Sequence, residues 1–391
     1  MDIAESNGVL CEIIVEQIVK SRGQRITFAE FMELALYHPQ QGYYATNQSG
    51  QGIQSDFLTS SHLGADFGEL LAQQFVQMWE LLERPSPFTL IEMGAGQGLL
   101  VQDILRALHK DHVACFEALR YIIVEKSSAL AAEQQRRFGK FAESSGRLTW
   151  QTWEEISKNS IVGCCFSNEL VDAFPVHQVV RVGETLQEIY LGASFQEIIG
   201  ELSTSKLMEY FESVDVNLMA PQYPDGYRSD VNLHALDWLE MVSDRLHQGY
   251  LLTIDYGYSA QRYYSPTRTQ GTLQCYYQHA HHNDPYWAIG RQDITAHVNF
   301  TALERWSERF GLQTMGFTQQ GLFLMALGLG DRISALSTSD QPLQDVLRRR
   351  ESLHALINPL GLGNFGVLIQ SKGLSKTQQS QLLTGLSVPV L

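Results

Sequence analysis

Phe88-Thr89-Leu90-Ile91-Glu92-Met93-Gly94-Ala95-Gly96-Gln97-Gly98-Leu99-Leu100-Val101 passes from a short apolar run, through three alternating glycines, into apolar residues at helical spacing. Six residues bounded by glycine read as a buried strand, Phe88 to Met93, and Leu99 to Leu108 reads as the helix that follows. Glycine at the junction allows a tight turn and lets the backbone come close to a bound nucleotide. A strand, a glycine turn and a helix in that order open an α/β unit.

The same alternation continues on the C-terminal side. Tyr121 to Glu125, Leu148 to Gln151, Ile161 to Ser167, Tyr250 to Asp255 and Phe365 to Ile369 read as strands, with helices at Ser127 to Phe138, Val231 to Leu246 and Thr301 to Arg309. This pattern predicts a doubly wound, Rossmann-like parallel sheet with helices on both faces. On the N-terminal side, Val9, Ile13, Ile14 and Ile18 recur at helical spacing, and Thr27 with Glu30 forms a capping box. A long amphipathic helix from Leu63 to Leu82 carries Phe67, Leu70, Leu71, Phe75, Met78, Trp79 and Leu82 on one side, a stripe that reads as core. The expected organisation is a helical extension over residues 1–84, a sheet domain over 85–375 and a tail over 376–391. Residues 176–230 and 258–296 break the alternation and are expected to be lid insertions at the carboxyl ends of strands.

The 391 residues carry 28 Lys and Arg against 43 Asp and Glu, a formal net charge of −15. Such a surface repels a phosphate backbone, and the one dense basic run, Arg348-Arg349-Arg350, reads as a solvated helix face. Nucleic acid is not expected as a partner, and no apolar stretch reaches the ~20 residues of a membrane span. Cys11, Cys115, Cys164, Cys165 and Cys275 contain no C-x-x-C pair. Together with the acidic start Met1 to Glu5, which resembles neither a signal nor a transit peptide, they predict a cytoplasmic location.

The residues at the strand ends suggest chemistry. A dinucleotide fingerprint would place its third glycine at position 99, which is Leu99. Glu92 at the strand end would repel the pyrophosphate of NAD and attract the ammonium and sulfonium charges of S-adenosylmethionine. Glu125, ending the next strand, is placed to accept hydrogen bonds from both ribose hydroxyls. The fourth strand runs into Asn168-Glu169-Leu170-Val171-Asp172-Ala173-Phe174-Pro175, which sets an amide and two carboxylates where a methyl acceptor would lie. No Asn-Pro-Pro-aromatic motif for amide or adenine methylation is present. Glu169 and Asp172 instead suit a guanidinium, whose pKa above ~12 leaves its nitrogen a poor nucleophile until carboxylates localise its charge. Asp255, in Ile254-Asp255-Tyr256-Gly257, is a third carboxylate on the same rim. His279, His281 and His282 near Cys275 lack zinc-site spacing, so no metal is assigned.

Several further blocks occur in order between Ile13 and Lys372: Ser55-Asp56-Phe57-Leu58-Thr59-Ser60, Phe67-Gly68-Glu69, Gly271-Thr272-Leu273 and Asp293-Ile294-Thr295-Ala296-His297-Val298-Asn299-Phe300. With them the chain resembles the MidA-type S-adenosylmethionine-dependent methyltransferases, whose mitochondrial members are protein arginine methyltransferases acting in respiratory complex I assembly. The resemblance implies a class I methyltransferase fold of seven strands and S-adenosyl-L-methionine as cofactor, bound at Gly94, Gly96 and Gly98. It places Thr59 and Ser60 beside the cofactor's methionine end and makes Asn168 a further cofactor contact. The Asn168 to Pro175 block would line the acceptor pocket, and Asp293, Thr295 and Asn299 would complete its far wall. The implied partner is an arginine-bearing protein such as a respiratory-complex subunit. Ala95 and Leu99 stand where the family has Pro and Thr, and Ser61-His62 replaces Pro-Glu. A methyltransferase of small molecules or other side chains, and a non-catalytic assembly factor retaining the cofactor, are the alternatives.

Overall fold

Seven strands build the central sheet of the computed structural model, which describes residues 5–46, 59–278, 280–338 and 342–387. Ser55-Asp56-Phe57-Leu58 and His279 lie outside the described residues. The strands are β1 (Phe88–Met93), β2 (Leu119–Val124), β3 (Leu148–Trp150), β4 (Ile161–Asn168), β5 (Leu246–Asp255), β6 (Gln313–Gln319) and β7 (Gly366–Lys372). They lie in the order β6-β7-β5-β4-β1-β2-β3. The five from β5 to β3 are parallel, whereas β7 runs antiparallel to both β5 and β6. The order reverses between β1 and β4, and open α/β sheets bind ligands in the crevice outside the carboxyl ends at such a point. The glycine turn and residues 168–175 both sit there.

The wholly parallel sheet expected from the alternation is therefore corrected at one edge. The strand β6, Gln-Thr-Met-Gly-Phe-Thr-Gln, has no residue in the buried class, so it left no apolar run to recognise.

Ten of the helices bear on the site and its surroundings: α1 (Gly8–Lys20), α2 (Phe28–Tyr37), α3 (Asp66–Leu81), α4 (Leu99–Asp111), α5 (Ser128–Ser145), α6 (Leu233–Arg245), α7 (Phe300–Arg309), α8 (Gln320–Ala326), α9 (Leu329–Ala335) and α10 (Leu343–Ile357). Thr27 caps α2 with both halves of the expected capping box formed. Side chains alternate across each strand. Phe88, Leu90 and Cys164 face a core shared with α3 and α4, while Ile91, Met93 and Cys165 face one shared with α6 and α7. Phe67, Leu70, Leu71, Phe75 and Met78 of α3 are fully buried in the first core. At ~1.5–3 kcal/mol per buried side chain they contribute on the order of 10 kcal/mol, comparable with the net stability of a whole domain, so the stripe is structural.

Both insertions form sheets of their own. Residues 177–182 and 185–192 make an antiparallel hairpin whose second strand also pairs with Arg25–Thr27 of the N-terminal segment. Residues 274–277, 280–282 and 293–295 form a three-stranded sheet. A third core joins α1 and α2 to both insertions through Val176, Leu191, Cys275 and Ile289.

Between β6 and β7 the chain makes a helical arm, α8 to α10, that sequence periodicity did not delimit. Gly328, at φ 98°, separates α8 from α9, which are seven residues each. The arm corrects the reading of the arginine run. Arg348 is solvated, but Arg349 donates to both oxygens of Asp66 on α3, at 3.0 and 2.7 Å.

Gly163, in the centre of β4, packs so closely on β1 that a Cβ there would overlap the Thr89 carbonyl. Gly163→Ala overpacks the sheet against main chain that has nowhere to move. It is expected to cost about 2 kcal/mol, read as a lower urea midpoint with unchanged slope.

Candidate functional site

All three glycines of the turn have positive φ, 68° at Gly94, 53° at Gly96 and 73° at Gly98. Gly94 N–H donates to the Val124 carbonyl at 3.0 Å and Gly98 N–H to that of Ala95 at 2.8 Å. The left-handed backbone favours glycine at all three, and at the two outer positions a side chain would have to give way as well. A Cβ at Gly94 would lie 2.7 Å from Leu170 Cδ1, and one at Gly98 2.6 Å from Phe138 Cε2. At Gly96 a Cβ would meet nothing within 4 Å, so this face of the turn is the open one. Buried Gln134 of α5 fixes the turn from behind, donating to the Gly96 carbonyl at 2.7 Å and accepting from Trp150 Nε1 at 2.9 Å. No motif in the sequence marked Gln134.

Glu92 does not present its charge to the crevice. Period-two alternation puts it on the face of Phe88 and Leu90, where it is 3% exposed and accepts a 2.6 Å hydrogen bond from Tyr121 Oη. Burial pushes its pKa up to about 7. The expected attraction between Glu92 and a cationic cofactor is thus replaced by a buried link between β1 and β2. Glu125 does reach the glycine turn. Its carboxylate accepts from Ser127 N–H at 3.0 Å and from Gln134 Nε2 at 3.3 Å, and the Gly96 amide helps to offset the rise in pKa that burial causes.

Residues 168–173 form the opposite wall. Asp255, at the end of β5, gathers the loop: Oδ2 accepts from the N–H groups of Leu170, Val171 and Asp172 at 3.2, 2.9 and 3.3 Å, and Oδ1 from Tyr256 N–H at 2.9 Å. Burial and Glu169 push its pKa up, and the four N–H donors offset part of that rise. Both its oxygens are taken by main chain, so Asp255 shapes the loop and is not the substrate-facing carboxylate expected from the sequence. Glu169, forced to φ 53°, is half-buried; Oε1 accepts from Asn168 Nδ2 at 3.0 Å and faces Ser60 N–H at 3.4 Å. Burial, aided by Asp172, pushes its pKa up to about 8. Asp172 is raised well above the carboxylate range by burial, Asp255 and Asp293.

Four buried atoms of this wall, Asn168 Oδ1, Asp172 Oδ1, Tyr256 Oη and Thr295 Oγ1, lack a well-formed hydrogen bond. Tyr256 lies within reach of both Asp172 and Thr295, so these three face one another across the wall. Asp293 lies close enough to raise Asp172 and accepts from Tyr44 Oη at 3.0 Å, and Tyr37 Oη donates to the Ala173 carbonyl at 2.9 Å. These tyrosines, brought in by the N-terminal segment, carry no sequence signal. Asn299 is turned away, capping α7 through Ala302 N–H at 3.3 Å and donating to Tyr210 Oη at 3.0 Å. It is a helix cap and not the pocket wall that the resemblance implied. Thr59 opens the turn at residues 60–63, its Oγ1 bonded to His62 Nδ1 at 2.6 Å, and the next residue, Ser60, meets Glu169.

Comparison with known proteins places the chain in a family. Residues 70–318 match the family described as "Putative S-adenosyl-L-methionine-dependent methyltransferase". The mitochondrial protein arginine methyltransferase NDUFAF7 homolog of Drosophila melanogaster is 28% identical over 364 residues, 86% of this chain and 79% of the relative. NDUFAF7 of Rattus norvegicus is 29% identical over 368 residues, 88% of this chain and 80% of the relative. A crystal structure from Burkholderia thailandensis bound to S-adenosyl-homocysteine superposes with a TM-score of 0.83 at 28% identity, covering 98% of this chain and 96% of that one. The curated relatives are named as mitochondrial, which overturns the cytoplasmic location expected from the sequence. The cysteines did not bear on compartment: all five are buried, and inaccessibility alone keeps them as thiols.

Gly96→Val separates fold from ligand. The new side chain enters open space and costs only the ~1–2 kcal/mol of a left-handed backbone, yet it fills the face where a nucleotide would lie. Calorimetric titration should show S-adenosylhomocysteine binding by the native chain and at least a hundredfold loss in the variant, with the circular dichroism spectrum retained.

Proposed function

The chain belongs to this family of S-adenosyl-L-methionine-dependent methyltransferases, and from that premise we propose that it N-methylates the guanidinium of an arginine in a protein substrate. The observation that carries the proposal is the pair of carboxyl groups of half-buried Glu169 and buried Asp172, set together at the carboxyl edge of the sheet on a loop gathered by Asp255. The names of the Drosophila and rat relatives support the same acceptor.

The residues present fit the cofactor. Gly94, Gly96 and Gly98 supply a turn with one open face, Glu125 stands beside it, and Asn168, Thr59 and Ser60 close the side toward Glu169. Bound there, S-adenosyl-L-methionine supplies an electrophilic methyl group on a sulfonium. The chain's own contribution is to hold and polarise the acceptor. Glu169 and Asp172, as carboxylates, draw the guanidinium charge onto the nitrogens they bind and leave the remaining nitrogen with a more available lone pair. Asp255 holds the loop that aims them, and catalysis rests mainly on proximity and orientation. Residues 1–84 and the insertions 176–230 and 258–296 would act as a cover over this site, while 85–375 carry the sheet and 376–391 a tail. Among proteins to test first as substrate are subunits of respiratory complexes, as the resemblance implies.

The pH dependence has a definite sign. With its pKa raised to about 8, Glu169 is mostly protonated at pH 7, and the form that polarises a guanidinium is the carboxylate. With the acceptor well below saturation, methyl transfer should rise with pH up to about 8 as Glu169 ionises. Glu169→Gln should remove that limb and lower transfer about a hundredfold while S-adenosylhomocysteine affinity stays within threefold. The assay is label from the tritiated methyl donor, recovered as methylarginine after hydrolysis of the acceptor proteins. Label on lysine or on small molecules alone would refute the arginine reading.

A further inference from the structure

The helical arm α8 to α10 lies beyond the family match, which ends at residue 318, and the reaction outlined above gives it no part. Its first residue, Gln320, is fully buried and has every polar group engaged. The N–H donates to the Phe365 carbonyl at 2.7 Å, Nε2 donates to the Leu356 carbonyl at 3.2 Å, and Oε1 accepts from Ser60 Oγ at 3.1 Å. The bond to a carbonyl fixes which end of the amide carries the nitrogen, so the oxygen must face Ser60. Ser60 is equally buried and turns its N–H to Glu169 on its other side.

The arm also grips the chain just past this turn. Asp66, the first residue of α3, is bound by Arg332 of α9 at 2.6 Å and by Arg349 of α10 at 2.7 Å, and Arg332 also reaches Glu69. Segment 60–66 is therefore tied to the arm at both ends, once by a neutral buried hydrogen bond and once by a charged clamp of low exposure. Bidentate, partly buried Arg–carboxylate contacts hold geometry far better than exposed pairs do.

We infer that the arm is the rear brace of the cofactor turn, with Gln320 a positioning residue that acts through Ser60 on both the cofactor's methionine end and Glu169. This rests on the reading that Thr59 and Ser60 lie beside the cofactor. Ser60 gives its hydroxyl to Gln320, so truncating either partner removes the same interaction.

A double-mutant cycle on the full chain tests this, with S-adenosylhomocysteine as the probe in calorimetry. Ser60→Ala and Gln320→Leu should each raise Kd about tenfold, and the double variant no further, because the coupled pair is lost once. Arg349→Met, on the exposed side of the clamp, should raise Kd about threefold and serves if Gln320→Leu does not fold. Gln320→Leu should also move the rising limb of the pH–rate profile to higher pH, since Glu169 loses a well-placed N–H, and a purely structural role would not move it. Additive losses in the cycle, or native affinity in folded Gln320→Leu, overturn the brace. Thr59→Trp distinguishes the two failures. If it blocks binding while Gln320→Leu does not, the brace alone is wrong. If neither affects binding while Gly96→Val abolishes it, the turn is not at the cofactor and both readings fall.

Discussion

The convergence of four main-chain N–H groups on the Asp255 carboxylate sets the position of every group on the acceptor side. Three of them come from consecutive residues, Leu170 to Asp172, which cannot all point at one oxygen from an extended strand. The chain must curl as it leaves β4, and the curl puts Glu169 at φ 53°, a conformation costing a non-glycine residue about 1–2 kcal/mol. Hydrogen bonds to a charged group contribute roughly 1.5–3 kcal/mol each, so four of them exceed that strain severalfold. The arrangement also needs β4 and β5 in register: Asn168 lies opposite Ile254, whose carbonyl accepts from Glu169 N–H at 2.9 Å. A contact between neighbouring strands thereby becomes the geometry of a site.

The N-terminal segment and the two insertions are interleaved. A strand from the N-terminal segment pairs with the first insertion, Asn7 N–H donates to the Ile289 carbonyl in the second at 2.9 Å, and Tyr44 reaches Asp293. Because these segments share one core, the N-terminal helices and the two insertions stabilise one another. The walls of the pocket are in this way built from pieces lying far apart in the sequence.

That separation explains what the sequence revealed. The strand β1, the glycine turn and α4 were legible because each depends on local chemistry: an apolar run, three small residues and a helical stripe. The loop after β4 stood out for the same reason, since Glu169 and Asp172 are polar residues where a strand has just ended. Glu92 was legible as a residue but not as a direction, because strand parity decides its face and Tyr121, 29 positions on, takes its charge. Asp255 and Asn299 were visible as polar residues in the right blocks, yet only tertiary contacts show one gathering amides and the other capping α7. Tyr37, Tyr44, Gln134 and Gln320 gave no signal at all. Each matters through a partner dozens to hundreds of residues away, and none stands in a local motif.

The charge balance of the pocket bears on what it accepts. Among the described residues no lysine or arginine forms an ion pair with Glu169, Asp172 or Asp255. In a medium of low polarity three adjacent anions repel one another strongly, and burial raises the pKa of all three. Without an acceptor, protons stay on Glu169 and Asp172, and their titration belongs to the cluster more than to either residue. A neutral acceptor would leave those protons in place and meet hydroxyl donors, which withdraw electron density from a nucleophilic nitrogen. A guanidinium brings a positive charge that displaces a proton and restores the carboxylate that polarises it. On the proposed function, the selectivity is electrostatic before shape is considered: a cation entering beside Glu169 and Asp172 creates the charge state in which it reacts.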